Sequence, residues 1–114
     1  AHEHRFGVHA GDMETSMMLA LREQYVDMKR AQNFSNSSEE RAARYPILGN
    51  GTSAKLGWQM QDYNPAGAAG NAAAATAVKG RALIDAAGLQ LALLLREVSA
   101  LPLSMLRAKP EIPD

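Results

Sequence analysis

The chain has 114 residues, room for one modest domain, and its 12 Lys plus Arg balance its 12 Asp plus Glu to a net charge of zero. That balance excludes a basic field for nucleic acid or anionic lipid, and no acidic tail is present. The absence of cysteine excludes disulfides and thiolate metal sites, and it fits a reducing, cytoplasmic setting. The apolar stretch near the C-terminus is interrupted by Gln90 and Arg96, too mixed to span a bilayer, and no signal peptide is readable. The opening "AHEHRF" lacks helix-cap and turn chemistry. It reads as the start of a piece of a longer protein or of a processed chain.

In chain order, residues 1–11 alternate loosely and end in Ala10-Gly11, which predicts a short strand or extended entry followed by a turn. Residues 12–21 read as a helix with Asp12 as its N-cap. Met18, Leu21, Tyr25 and Met28 recur at helical spacing, so the helix either continues toward Met28 or breaks near Arg22–Gln24. Residues 31–71 are polar and punctuated by Pro46, Gly49 and Gly51, with one short strand expected around Leu56–Met60. A connection this long is an active-site loop, an arm gripping another chain, or partly disordered.

Residues 72–98 read as one long helix with Asn71 as N-cap and alanines filling its first turns. Arg81, Asp85, Gly88, Ala92 and Arg96 step along one narrow face, and Arg81 is spaced to pair with Asp85. The rest of the circumference is apolar, through Val78, Leu83, Ile84, Leu91, Leu94, Leu95 and Val98. Such a helix needs a broad partner surface such as a sheet, and this sequence supplies almost no strands to form one. Pro102 ends the helix or starts a short last turn, and Pro110 and Pro113 mark a tail.

The candidate chemistry is sparse. On a strand, His2 and His4 would face one side, as a two-histidine metal clip or as a solvated stretch; the second reading is favoured because no third ligand is near in sequence. His9 precedes a glycine that lets the backbone turn sharply, so its imidazole can face a cleft at a helix start as a proton shuttle, or serve structurally. Glu14 falls in the first helical turn. There the helix dipole favours its ionised form, which suits a divalent-metal ligand and equally suits ordinary helix-start chemistry. The methionines at 13, 17, 18 and 28 read as core filler. Trp58 and Tyr63 either stack on a ligand, pack the long loop down or sit at a subunit contact, the last two readings being favoured. "NPAGAAGNAAAA" lacks the Lys-Ser/Thr ending of a phosphate loop and is discounted.

Two blocks carry a resemblance. "HAGDMETSMMLAL" with the following "VDM", and "GWQMQDYNPAGAAGNAAAATAVKGRALIDAA", together resemble the C-terminal part of the creatininase family of amidohydrolases, over His9 to about Leu95. The resemblance implies a three-layer α/β/α fold of which this chain, residues 1–114, is the C-terminal portion, its long helix lying on the sheet. It implies hydrolysis of a cyclic amide, formamide or related C–N bond by a metal-bound water, with two divalent metal ions, zinc and/or manganese. His9 would relay the proton toward the leaving nitrogen. Glu14 would be a metal ligand, although other members take that carboxylate from an earlier segment. The partners implied are a small-molecule amide substrate and further copies of the chain in a homo-oligomer, a hexamer in the family. The family's remaining ligands, a Glu-x-His stretch, a bridging aspartate and an Asn-Gly-His motif, are absent from these residues. They would come from a missing N-terminal half, in the same polypeptide or as a separate chain. The acidic residue often found just before the histidine is Val8 here, which argues against creatinine itself as substrate. A rival expectation from another class is a noncatalytic assembly subunit or fragment that docks its apolar helix on a partner chain.

Overall fold

The computed structural model describes residues 2–54 and 56–109. The chain divides into two units, Ala1–Ile84 and Asp85–Asp114.

The first unit opens with a helix, α1 (His2–Phe6), where an extended entry is expected from the sequence. Glu3 in its first turn and Arg5 in its last suit the helix dipole, and the Glu3 carboxylate fixes the segment through contacts far away in sequence. The helix expected over 12–21 is α2 (Asp12–Arg22). Its N-cap is Gly11 and not Asp12, whose carboxylate is instead committed to Lys79. Arg22 leaves helical geometry at φ −153°, ψ 67°, so the break falls there, and single 3₁₀ turns follow at Glu23–Tyr25 and Met28–Arg30.

The polar segment that reads as a long loop contains local structure. Strand β1 (Asn33–Phe34) leads into α3 (Ser37–Arg44). The Asn36 side chain caps α3 by accepting from the Ser38 N–H at 3.0 Å, with Glu39 and Glu40 in the first turn and Arg41 and Arg44 in the last. The strand expected at Leu56–Met60 does not form. Met60 instead begins a single-turn helix, α4 (Met60–Tyr63), closed by the Asp62 carboxylate accepting from the Gln59 N–H at 2.7 Å.

Strand β2 (Gly70–Asn71) pairs antiparallel with β1, with Asn33 opposite Asn71 and Phe34 opposite Gly70. Ala69, just before it, forms an isolated antiparallel bridge with His9. The long C-terminal helix then starts later than the sequence suggests. Ala72–Ala74 form a 3₁₀ turn, Ala75 is extended, and α5 runs over Ala77–Ala100. Arg81, spaced for Asp85, donates to the Ala20 carbonyl at 3.0 Å and so ties α5 to the end of α2.

The first unit buries small residues. Among its described residues, Ala68, Ala69, Ala72 and Ala75 are the buried apolar side chains, and Ser16 is the largest side chain that is fully buried. A buried methyl contributes on the order of 0.8 kcal/mol, less than the roughly 1–2 kcal/mol lost in fixing one residue's backbone. Hydrogen bonds from side chains to backbone therefore do much of the positioning in this unit. The methionines expected as core filler do not form one: Met18 and Met28 are exposed.

The second unit comprises the rest of α5 and a 3₁₀ turn at Leu103–Met105. Every described residue from 85 to 109 is exposed, including Leu89, Leu91, Leu94, Leu95 and Val98. The architecture of the described residues is thus mixed helix with one two-stranded ribbon. The sheet expected beneath the long helix is not formed by them. No helix among the described residues is long and apolar enough to cross a membrane.

Candidate active site

The site is assembled by a short segment that two distant parts of the chain hold in place. The backbone of Val8 and His9 is laced to Ala69: the Val8 N–H donates to the Ala69 carbonyl at 2.8 Å, and the Ala69 N–H donates to the His9 carbonyl at 2.9 Å. Immediately after His9 the chain turns through Ala10 in the left-handed region, φ +54°. A non-glycine residue there costs on the order of 1–2 kcal/mol, so its surroundings must hold it.

The Glu-Thr-Ser run of α2 does this holding. Glu14 is the third residue of the helix, and its Oε2 accepts from the Ala10 N–H. The Thr15 hydroxyl donates to the Ala10 carbonyl at 3.3 Å. Ser16 points into the unit, accepting from the Thr76 N–H at 3.0 Å and donating to Asp12 Oδ1 at 3.1 Å. Asp12 in turn receives the Lys79 ammonium at 2.6 and 2.7 Å, and Lys79 also donates to the Ala74 carbonyl. Gly80 sits against the backbone of Ser16, where a Cβ would overlap the carbonyl. Lys79-Gly80 is therefore the counterpart of Asp12 and Ser16, and the two sequence blocks meet.

Sequence reasoning passed over the residue that joins them. In the sequence Glu3 is simply the residue between His2 and His4. In the structure its Oε1 accepts from the Asp12 N–H at 2.8 Å and its Oε2 from the Asn71 N–H at 2.9 Å. It lies against Gly11 and Gly70, whose backbones approach so closely that a Cβ on Gly70 would stand 2.7 Å from the Gly11 Cα. No local signal marks Glu3, because its partners lie 9 and 68 positions away. The pairing of a glycine in each block is the trace it leaves.

The two histidines beside Glu3 are not a clip. They sit two apart on a helix rather than a strand, a spacing that does not place side chains on one face. His2 instead pairs with Glu39 at 3.3 Å and packs on Phe6. Trp58 and Tyr63 contact each other edge to face, centroids 4.8 Å apart, with the Arg41 guanidinium 5.0 Å from the Tyr63 centroid.

His9 and Glu14 are brought together. His9 Nδ1 lies 3.9 Å from Glu14 Oε2, and both residues line a cavity of about 160 Å³ with Glu3, Val8 and Met13. Both side chains are a little over half exposed, so each is accessible to a small molecule. The chain matches the family model described as creatinine amidohydrolase over residues 1–95.

The chain belongs to the creatininase family.

No curated protein and no solved structure matches it. Creatininase-family membership points to amidohydrolase chemistry and to a divalent-metal cofactor. The Glu14 carboxylate, with one oxygen held by the backbone, suits such an ion, and the His9 imidazole lies beside it. The number of donors does not complete a site, since no group of three or more His, Asp or Glu side chains among the described residues is placed to hold a metal.

Proposed function

We propose that the protein acts as a metal-dependent amidohydrolase on a cyclic amide, formamide or related C–N bond, with His9 as the proton shuttle and Glu14 as a metal ligand. The observation that carries this reading is the convergence of His9 and Glu14 on one cavity at the start of α2, in a chain matching the creatininase model.

The role of each residue follows from its chemistry. Imidazole exchanges protons near neutral pH, and the cleaved C–N bond needs a proton on its nitrogen for that nitrogen to leave. Lacing to Ala69 holds the His9 backbone, and the imidazole beyond it is a little over half exposed beside Glu14. Glu14 uses Oε2 on the Ala10 N–H, which orients the carboxylate and leaves Oε1 for a cation. A divalent pair, zinc and/or manganese, would supply Lewis-acid activation of the amide and of water when bound. On this reading the remaining donors come from the N-terminal half that the family resemblance implies. The same reading makes residues 1–114 the C-terminal portion of a three-layer α/β/α domain, with α5 laid on its sheet and the domain repeated in a homo-oligomer.

The test is hydrolysis of a panel of small cyclic amides and formamides before and after chelation. Turnover should vanish on metal removal and return with zinc or manganese. Turnover that survives complete chelation would overturn the metal-dependent reading.

A second reading is favoured by the exposure of every described residue from 85 to 109. In it the chain is a noncatalytic assembly piece that docks its apolar helix on a partner chain. Native mass spectrometry separates the two. A metal-free assembly that turns over no amide supports the second reading.

A further inference from the structure

We propose that a basic, aromatic-walled cavity next to the His9–Glu14 cavity seats an anionic group of the substrate, a carboxylate or a phosphate ester. The substrate would then be a small amide carrying a negative charge. This rests on the amidohydrolase reading for the word substrate, but the anion site stands on its own observations.

The cavity measures about 210 Å³ and is walled by Arg5, Phe6, Val8, Arg41, Trp58 and Tyr63 among others, with no Asp or Glu among the described residues that line it. Drug-sized ligands need about 300–1,000 Å³, so this space suits a small ring or a single charged group. Both guanidinium groups lie over rings: Arg5 Cζ is 4.9 Å from the Phe6 centroid and Arg41 Cζ is 5.0 Å from that of Tyr63. Seating against a ring occupies the flat face of a guanidinium and leaves its N–H edge for a planar acceptor. Arg41 spends one contact on the Ser37 hydroxyl, at 3.3 Å. Neither Arg5 nor Arg41 forms an ion pair with a carboxylate among the described residues, whereas Asp12–Lys79, His2–Glu39 and Arg44–Glu40 do. Two cations converging without a counter-charge repel each other, and an incoming anion relieves that repulsion.

Position ties the cavity to the chemistry. Val8 walls both this cavity and the one that holds His9 and Glu14. Its backbone is fixed by the hydrogen bond to Ala69. An anion seated on the arginines therefore places the rest of a small molecule beside the imidazole, with the Trp58 ring as a wall for a planar amide.

Trp58 is the single tryptophan of the chain, so its fluorescence reports on the cavity. Three probes separate the possibilities: pyroglutamate, which is a ring amide with a carboxylate; 2-pyrrolidinone, the same ring without it; and inorganic phosphate. The expected result is a saturable change with pyroglutamate or phosphate, the carboxylated ring binding roughly ten-fold tighter than the neutral one if carboxylate is the native group. Tighter binding of phosphate assigns a phosphate ester instead. Arg41→Met should abolish anion binding, Arg41→Lys should restore part of it, and Arg5→Gln should weaken it if Arg41→Met proves unfolded by circular dichroism. Anion binding unchanged in a folded Arg41→Met or Arg5→Gln, equal binding of all three probes, or no saturable change with any anion would each overturn the proposal. His9→Ala should leave anion binding intact. Failure of the amidohydrolase reading would thus appear as no amide turnover by the metal-loaded protein, and failure of this inference as loss of anion preference.

Discussion

Glu3 Oε2 accepts a hydrogen bond from the Asn71 backbone N–H at 2.9 Å, across 68 positions of chain, while its Oε1 holds the N–H of Asp12 at 2.8 Å. One carboxylate therefore pins the start of α2 to strand β2, with His9 on the segment between α1 and α2.

Removing that carboxylate leaves two partly buried N–H groups without partners. Each costs about 1–3 kcal/mol, so Glu3→Ala should destabilise the first unit by roughly 2–6 kcal/mol. Glu3→Gln keeps one acceptor and should lose about half as much. Urea unfolding followed by circular dichroism measures both. Equal stability of all three proteins would contradict the pinning role.

The approach of α5 to α2 depends on the bare backbone of Gly80 against Ser16. Gly80→Ala would force its methyl into the Ser16 carbonyl. The predicted loss is about 3 kcal/mol or more, despite the usual gain from alanine in a helix, because the obstacle is backbone and cannot rotate aside. A thermal melt that rises, as for an ordinary helix glycine, would show that the two helices do not cross there.

Asp12 and Lys79 form a partly exposed pair, the lysine 44% and the aspartate 22% accessible. Solvent screening limits such a pair to about 0.2–1 kcal/mol. A double-mutant cycle with Asp12→Asn and Lys79→Met should return a coupling in that range, shrinking in high salt. Lys79→Met alone should cost more than the coupling, since Lys79 also holds the Ala74 carbonyl.

How much of this was readable in the sequence varies with how local the physics is. Helix α2 declared itself because its periodicity and first-turn acids are local, and its end near Arg22 was one of the two readings. Helix α3 is just as local: "NSSEERAAR" carries a capping Asn36, acids first and arginines last, and its polarity disguised it as loop. The extended reading of 1–11 failed because α1 is fastened by Glu3 to groups at Asp12 and Asn71, which no window of sequence contains. Asn71, read as a helix cap, lends its N–H to Glu3, and the 3₁₀ turn and extended Ala75 delay α5 until Ala77. The proximity of His9 and Glu14 was legible, since both sit at one helix start. The basic cavity was not, because Arg5 and Arg41 come together only in the fold.

Ala10 and Glu14 offer a way to separate capping from metal binding. Ala10→Gly relieves about 1–2 kcal/mol of left-handed strain but adds about 0.5–1 kcal/mol of unfolded-chain entropy, for a predicted net gain of about 0.5–1 kcal/mol. Glu14→Gln keeps an acceptor for the Ala10 N–H but removes the charge that a cation needs. It should hold stability within about 1 kcal/mol of the parent while metal content falls. Full metal stoichiometry in Glu14→Gln would assign Glu14 to capping alone.

The most direct measurement is turnover by His9→Ala in the metal-loaded enzyme, with metal content determined on the same sample. The account predicts a fall in kcat of about 10²–10⁴-fold with metal stoichiometry unchanged, because the imidazole moves a proton and does not hold the ion. Near-parental turnover at full metal content would contradict it.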